Sequence, residues 1–187
     1  RVMISITDFI ERKLGLKVNA TKTKVCKPND LKYLGFGFYK SSNWECNPHN
    51  DSKMKFQRTL KGLTKRSESI SLDTRFERLN WTIRGWVNYF RIYKMKIFLT
   101  KVDEHLRTRI RMIIWKQWKK PKTQEDNLVK CGYSRDEARG LANCRKGYMF
   151  IAHSKILQHA ISKTRLAKPN KKKERRGLVF ALDYYLA

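Results

Sequence analysis

Residues 72–90 read Leu72-Asp73-Thr74-Arg75-Phe76-Glu77-Arg78-Leu79-Asn80-Trp81-Thr82-Ile83-Arg84-Gly85-Trp86-Val87-Asn88-Tyr89-Phe90. At ~100° per residue, Leu72, Phe76, Leu79, Ile83, Trp86, Val87 and Phe90 all fall within an arc of about 100°, which predicts an amphipathic helix. Trp81, Arg84 and Asn88 point away from that arc. Gly85 between them leaves room for another helix or a phosphate backbone to approach. On the amino-terminal side, Asp51 or Ser52 can cap a helix carrying Phe56, Leu60 and Leu63. On the other side, a helix from Ile97 to Lys120 places Phe98, Val102, Leu106, Ile110 and Ile113 on its buried stripe, and Pro121 is expected to end it. Three such stripes bury one another in a bundle.

Working outward, residues 1–16 have helical spacing that stops at Gly15. Val18–Cys26 reads as extended or looped. Lys27-Pro28-Asn29-Asp30 is a turn tetrapeptide, expected to join Lys24–Cys26 to a strand over Leu31–Tyr39 as a β-hairpin. Leu34, Phe36 and Phe38 share one face of that strand and Gly35 and Gly37 the other. The two glycines mark either a bulge or packed edge, or a surface on which a nucleic-acid backbone lies flush. Residues 40–51 read as a linker. Ser134-Arg135-Asp136-Glu137 is a capping box opening a helix through Asn143. Gly147 interrupts the pattern, and a further helix carries Ile156, Leu157, Ala160 and Ile161. Lys168–Arg176 is a basic low-complexity loop, and Leu178–Leu186 is an apolar segment that docks the carboxyl end. The fold class is therefore mainly α: a small β-hairpin, then a helical bundle, then a further helical region.

Charge narrows the partner. The 187 residues hold 43 Lys and Arg against 16 Asp and Glu, a net +27, with 41% hydrophobic residues to supply a core. Such a surplus repels itself unless a polyanion neutralises it, and phosphates release condensed counterions when they do so. The surplus is organised. Lys53, Lys55, Arg58, Lys61, Lys65 and Arg66 lie between Asp51 and Glu68 with no acid among them. Arg107, Arg109, Arg111, Lys116, Lys119, Lys120 and Lys122 lie between Glu104 and Glu125. The spacing of Cys26, Cys46, Cys131 and Cys144 makes no zinc half-site, and reduced thiols in a cytoplasmic setting are expected. No apolar run is long enough to span a membrane.

Chemistry is sparse and binding features are rich. The acids are few and scattered, and no phosphate-loop, nucleophile-elbow or zinc-protease motif occurs. No complete active site is expected. On the helix ending near Lys120, the face opposite the stripe carries Arg107, Arg111, Trp115 and Trp118. Arginine for phosphate and indole for stacking suits a reader of single-stranded or looped RNA. The indoles either make that contact or pack under a later helix, whereas Arg107 and Arg111 are expected to be dispensable for folding.

These runs converge on one family. Leu14-Gly15-Leu16-Lys17-Val18-Asn19-Ala20-Thr21-Lys22-Thr23-Lys24-Val25 followed by Tyr33-Leu34-Gly35-Phe36-Gly37-Phe38 resembles the end of the palm of group II intron reverse transcriptase/maturases. Arg84-Gly85-Trp86-Val87-Asn88-Tyr89-Phe90 and Trp115-Lys116-Gln117-Trp118-Lys119 are similar to their maturase-specific domain, and Arg145-Lys146-Gly147-Tyr148 with Ala152-His153-Ser154 to its distal half. The resemblance implies a palm remnant over residues 1–40 and a linker over 41–51. A thumb/maturase bundle then covers 52–122, and distal maturase helices cover 123–187 with the basic loop at 168–176. It implies a primer-grip-like hairpin at Leu34, Gly35, Phe36 and Gly37, and an accessory electrostatic or acid role for Lys22. It implies binding of structured intron RNA and of a template–primer duplex. The candidate RNA contacts are Lys55, Arg58, Lys61, Lys65, Arg66, Arg84, Asn88, Arg91, Arg107, Arg111, Trp115, Lys116, Lys119, Lys171, Lys172, Lys173, Arg175 and Arg176. The family's polymerase holds two Mg²⁺ ions on a Tyr-x-Asp-Asp motif and another aspartate. No Asp-Asp pair occurs here, so the expectation is a chain without cofactor, inactive alone as a polymerase, its fingers and palm lying before Arg1. The competing readings are a general basic RNA- or DNA-binding protein and a truncated remnant.

Overall fold

A computed structural model describes residues 1–40, 42–169 and 176–187. The fold is mainly helical, with a small antiparallel sheet preceding the main helical region in the chain. Two compact units divide it, Arg1–Ser52 and Lys53–Ala187.

In the first unit, α1 (Val2–Leu14) ends where Gly15 takes φ 63°, its N–H donating to the Ile10 carbonyl. The chain then turns at Asn19, whose Oδ1 accepts from the Thr21 and Lys22 amides at 3.1 Å each. A short 3₁₀ turn occupies Pro28–Asp30. The sheet departs from the expected hairpin. Strand β1 (Lys32–Tyr33) pairs with β2 (Phe36–Lys40), and β2 pairs with β3 (Trp44–Pro48). Lys24–Cys26 forms no strand. The predicted continuous strand over Leu31–Tyr39 is folded back on itself, because Leu34 and Gly35 adopt φ 48° and 82°. Two consecutive positive φ values make the tight turn that matches strand twist, and glycine relieves the second of them. Residues read as linker instead hold β3 and the start of α2 (Asn50–Leu63). Asn47 sits opposite Gly37, and a Cβ at Gly37 would meet the His49 ring at 3.2 Å.

The second unit is built on α3 (Leu72–Phe90) and α4 (Lys96–Gln117). Ser71 caps α3 by accepting from the Thr74 amide at 3.0 Å. The predicted arc is the buried one: Phe76, Leu79, Ile83, Val87 and Phe90 are buried, as are Leu99, Val102, Leu106, Ile110 and Ile113 of α4. Each fully buried side chain of this kind contributes about 1.5–3 kcal/mol. Trp86 joins the helices through its rings, stacking on Phe56 of α2 at 4.4 Å and meeting Phe90 and Phe98 at 4.6 and 5.6 Å. Helix α4 stops at Gln117, and Lys119 leaves it at φ 48°. Pro121 does not terminate α4 directly but opens α5 (Pro121–Lys130), because its missing N–H and fixed φ suit a first helical position.

The distal helices are short: α6 (Arg135–Ala142), α7 (Tyr148–Ala152), α8 (Lys155–Ala160), α9 (Lys163–Ala167) and α10 (Ala181–Leu186). The expected capping box at Ser134 and Glu137 is present. Gly177 lies so close to the Ala167 carbonyl that a Cβ would overlap it. Helix α10 packs on α3 and α4, with Leu178, Phe180 and Ala181 buried. Polar groups fix its register. Asn80 accepts from the Val179 amide at 2.7 Å and donates to the Gly177 carbonyl at 2.9 Å. Asp103, 2% exposed, accepts from the Ala181 and Leu182 amides at 2.8 and 2.9 Å, meeting the unpaired donors of the helix start. Among the described residues no helix is long and apolar enough to cross a membrane.

Burial raises the Asp103 carboxyl above its ordinary range, and the two amides and Arg107 oppose that rise. Asp103→Ala leaves both amides without their acceptor and should cost about 1.5–3 kcal/mol in urea unfolding. Asp103→Asn, which keeps one acceptor oxygen, should recover part of that loss.

Candidate nucleic-acid interface

The open face of the second unit follows from how α4 is covered. One side of α4 meets α3 through the Phe98 and Trp86 rings, and another side is covered by α7 and α10. What stays open includes the strip Lys101, His105, Arg109 and Lys116, which at ~100° per residue spans about 80° of the helix, with Ile97 and Glu104 exposed beside it. Helix α2 and the turn after it lie across from this strip and add Arg58, Lys61, Lys65 and Arg66.

Three recesses run on from one another along this face. The first, about 450 Å³, lies between α2 and α4, with Met54, Gln57, Leu60, Thr64, Val102 and Leu106 behind Arg58, Lys61, Lys101, His105 and Arg109. The second, about 460 Å³, shares Arg109 and adds Lys65, Arg66, Lys116 and Tyr148. The third, about 350 Å³, shares Tyr148 and adds Lys119, Arg145 and Lys146 beside Trp115. Ten cationic side chains line this track, and no Asp or Glu lines any of the three.

Two of the track's cations, Arg109 and Lys116, are held by hydrogen bonds to the turn after α2. Arg109 donates from Nε to Thr64 Oγ1 at 2.5 Å, and from Nη2 to the Lys61 and Thr64 carbonyls at 3.1 and 3.0 Å. These bonds occupy carbonyls at the end of α2, where the helix dipole is negative. Lys116 donates to the Arg66 carbonyl at 3.0 Å. Arg75, buried behind, donates to the Leu63 and Glu68 carbonyls. Arg66 lies 4.3 Å over the Tyr148 ring, and Lys146 4.2 Å over Phe150. Burial and neighbouring like charge depress the Arg109 guanidinium. They also depress His105, first through burial and then through Arg109 and Lys61. A polyanion would relieve this repulsion.

The sequence-derived set divides on this surface. Arg58, Lys61, Lys65, Arg66, Lys116 and Lys119 line the track. Lys55 is exposed on α2 outside the recess walls. Asn88 and Arg91 are exposed on α3 and just after it, as is Trp81 at 67%. Arg84, also exposed, lies 5.8 Å from the Tyr184 ring. Arg107 is half-buried, 6.0 Å from Phe180. Arg111 is buried and donates to the Ile161 and Gln158 carbonyls at 3.1 and 3.4 Å, which corrects the expectation that it is dispensable for folding. Trp115 is 3% exposed, and the half-buried Trp118 packs against it at 5.7 Å. Arg176 is exposed, whereas Lys171, Lys172, Lys173 and Arg175 lie outside the described residues. In the first unit Lys22 and Leu34 are exposed, and Gly35, Phe36 and Gly37 are half-buried around the β1–β2 turn. Sequence reasoning passed over Lys101, Arg109, Arg145, Lys146 and Tyr148, which line these recesses. The spacing of Lys101, His105 and Arg109 four residues apart was a signal for the first two.

Two outcomes follow for stability. Arg111→Ala removes a buried donor to two carbonyls and should cost about 1.5–3 kcal/mol in urea unfolding. His105 has its pKa depressed in the native state, so the unfolded chain binds the proton more readily. Its contribution to stability is present above about pH 6.5 and is lost as pH falls through the native pKa. The urea midpoint of His105→Gln should therefore fall less than that of the unaltered protein between neutral pH and pH ~5.

Comparison with curated proteins finds no match to the chain. Residues 53–132 match the family model of the group II intron, maturase-specific domain. That span begins at the first residue of the second unit and contains α3, α4 and α5. It includes every residue of the first recess. Over these residues the chain is similar to the maturase-specific domain of group II introns, which supports reading it as part of a group II intron maturase.

Proposed function

We propose that the second unit binds folded group II intron RNA along the α4 track and so assists its splicing. The observation that carries this reading is the run of ten cations with no carboxylate on its walls. Phosphates meeting those cations release counterions, which supplies affinity without reading sequence. The rigid track, tied to backbone carbonyls, then favours an RNA whose folded shape presents phosphates at the matching spacing. A cytoplasmic setting, where an intron transcript is met, goes with this reading.

Two finer roles belong to the same proposal. In an intact reverse transcriptase the helical unit would position the template–primer duplex. The β1–β2 hairpin, with Leu34, Gly35, Phe36 and Gly37, would serve as a primer grip, with Lys22 on the preceding turn as an electrostatic accessory. Polymerase chemistry is not assigned to the residues present.

The test is salt-dependent binding of a group II intron transcript. Affinity should fall about 10³-fold or more between 50 and 200 mM salt, and a flat response would defeat the reading. Lys61→Gln, Lys101→Gln and Lys116→Gln should each lower the slope of log affinity against log salt by about 0.9 for every phosphate the protein no longer neutralises. Equal affinity for unrelated duplex RNA would reduce the protein to a general polyanion binder.

A further inference from the structure

The first recess differs from the rest of the track. Its back wall is aliphatic, from Leu60 on α2 and Val102 and Leu106 on α4, and its lip carries the exposed Met54. Cations stand on both sides of the mouth, Lys61 from α2 and Lys101 from α4. A purely electrostatic groove needs no such apolar floor, and one of about 450 Å³ falls in the size range of small-ligand pockets.

We infer that this recess receives one unstacked nucleobase of the bound RNA, with Lys61 and Lys101 holding the phosphates on either side of it. The inference rests on the RNA-binding reading above and adds a base-sized site to it. Apolar walls cover the faces of an extruded base, as they do in proteins that take a base out of its stack. Its edge needs donors and acceptors, which Gln57 and His105 supply at the mouth. Gln57 carries a carboxamide with both functions, and a neutral imidazole carries one of each. Burial together with the Arg109 and Lys61 charges keeps His105 towards that neutral form. The Thr64 hydroxyl is already committed, donating to the Leu60 carbonyl at 2.7 Å while it accepts from Arg109. It therefore holds the wall in shape rather than reading the ligand. An acidic peptide would meet the cations but would leave the apolar floor covered only by chance of sequence. A nucleotide chain meets both at its own repeat, charge outside and flat apolar base within.

The experiment uses the full chain and two RNA probes with equal numbers of phosphates, a short hairpin with an adenine loop and a fully paired duplex. The loop bases are replaced one at a time by abasic sites, and 2-aminopurine is placed at each loop position in turn. At least one abasic position should weaken hairpin binding about tenfold, and 2-aminopurine at that position should change its emission on binding. Met54→Trp fills the recess from its exposed lip. It should bring the parent hairpin down to the abasic level while leaving duplex affinity and salt slope unchanged. Gln57→Trp, also at an exposed position, repeats the test should Met54→Trp lose helicity. If every abasic hairpin binds like the parent, or both tryptophan variants keep the preference, the recess takes no base. Steep salt dependence with both probes would then leave the track intact as an RNA-binding surface. Salt-independent binding, or none, would overturn both readings together.

Discussion

The structure depends on the burial of α4 on two sides. Leu99, Leu106 and Ile110 seat it in the common core with α3, and Asp103 ties it to α10. Trp115 is buried farther along, and Arg111 reaches the end of α8. A helix covered so extensively keeps only part of its surface for solvent, and the part that lines the recesses carries Lys101, His105, Arg109 and Lys116. The cationic track is what remains of α4 after packing.

A chain with 43 basic and 16 acidic residues must find other partners for its buried cations. Backbone carbonyls serve. Arg75, Arg109 and Lys116 all donate to carbonyls between Lys61 and Glu68, Arg75 with the Glu68 carboxylate also 3.6 Å away, and Arg111 does so at the end of α8. Carbonyl dipoles orient a guanidinium without cancelling its charge. The turn after α2 is thereby stapled to α4, and the surface keeps its positive potential for an external anion. A carboxylate in the same place would have secured the fold and neutralised the track.

The division between the two units has a chemical counterpart. The first unit exposes apolar residues of α1, with none of that helix buried, and presents a tight turn at Leu34 and Gly35. The second unit carries the core, the matched maturase-specific span and the cationic recesses. The RNA binding proposed above falls in the unit that carries these cations. Fixed spacing is what allows shape to be read from a backbone that carries little sequence information.

Local rules determined much from residue order alone. The seven-residue arc of α3, the Gly15 stop, the Ser134–Glu137 capping box and the apolar tail from Leu178 each depend on neighbours within a few turns, and each stands in the fold. The charge surplus and the acid-free runs, which point to a polyanion, are likewise plain in the sequence. Tertiary structure decided the β1–β2 turn, where positive φ at Leu34 and Gly35 broke a strand that alternation alone would continue. It also decided which face of α4 is open. A single apolar stripe places Arg107, Arg111, Trp115 and Trp118 opposite the core and hence toward solvent. Distal helices supply a second covering, so Arg111 and Trp115 are buried while Lys101 and Arg109 remain on the groove. Helical periodicity records one contact surface at a time, and a helix shared by two layers conceals the second until those layers are in place.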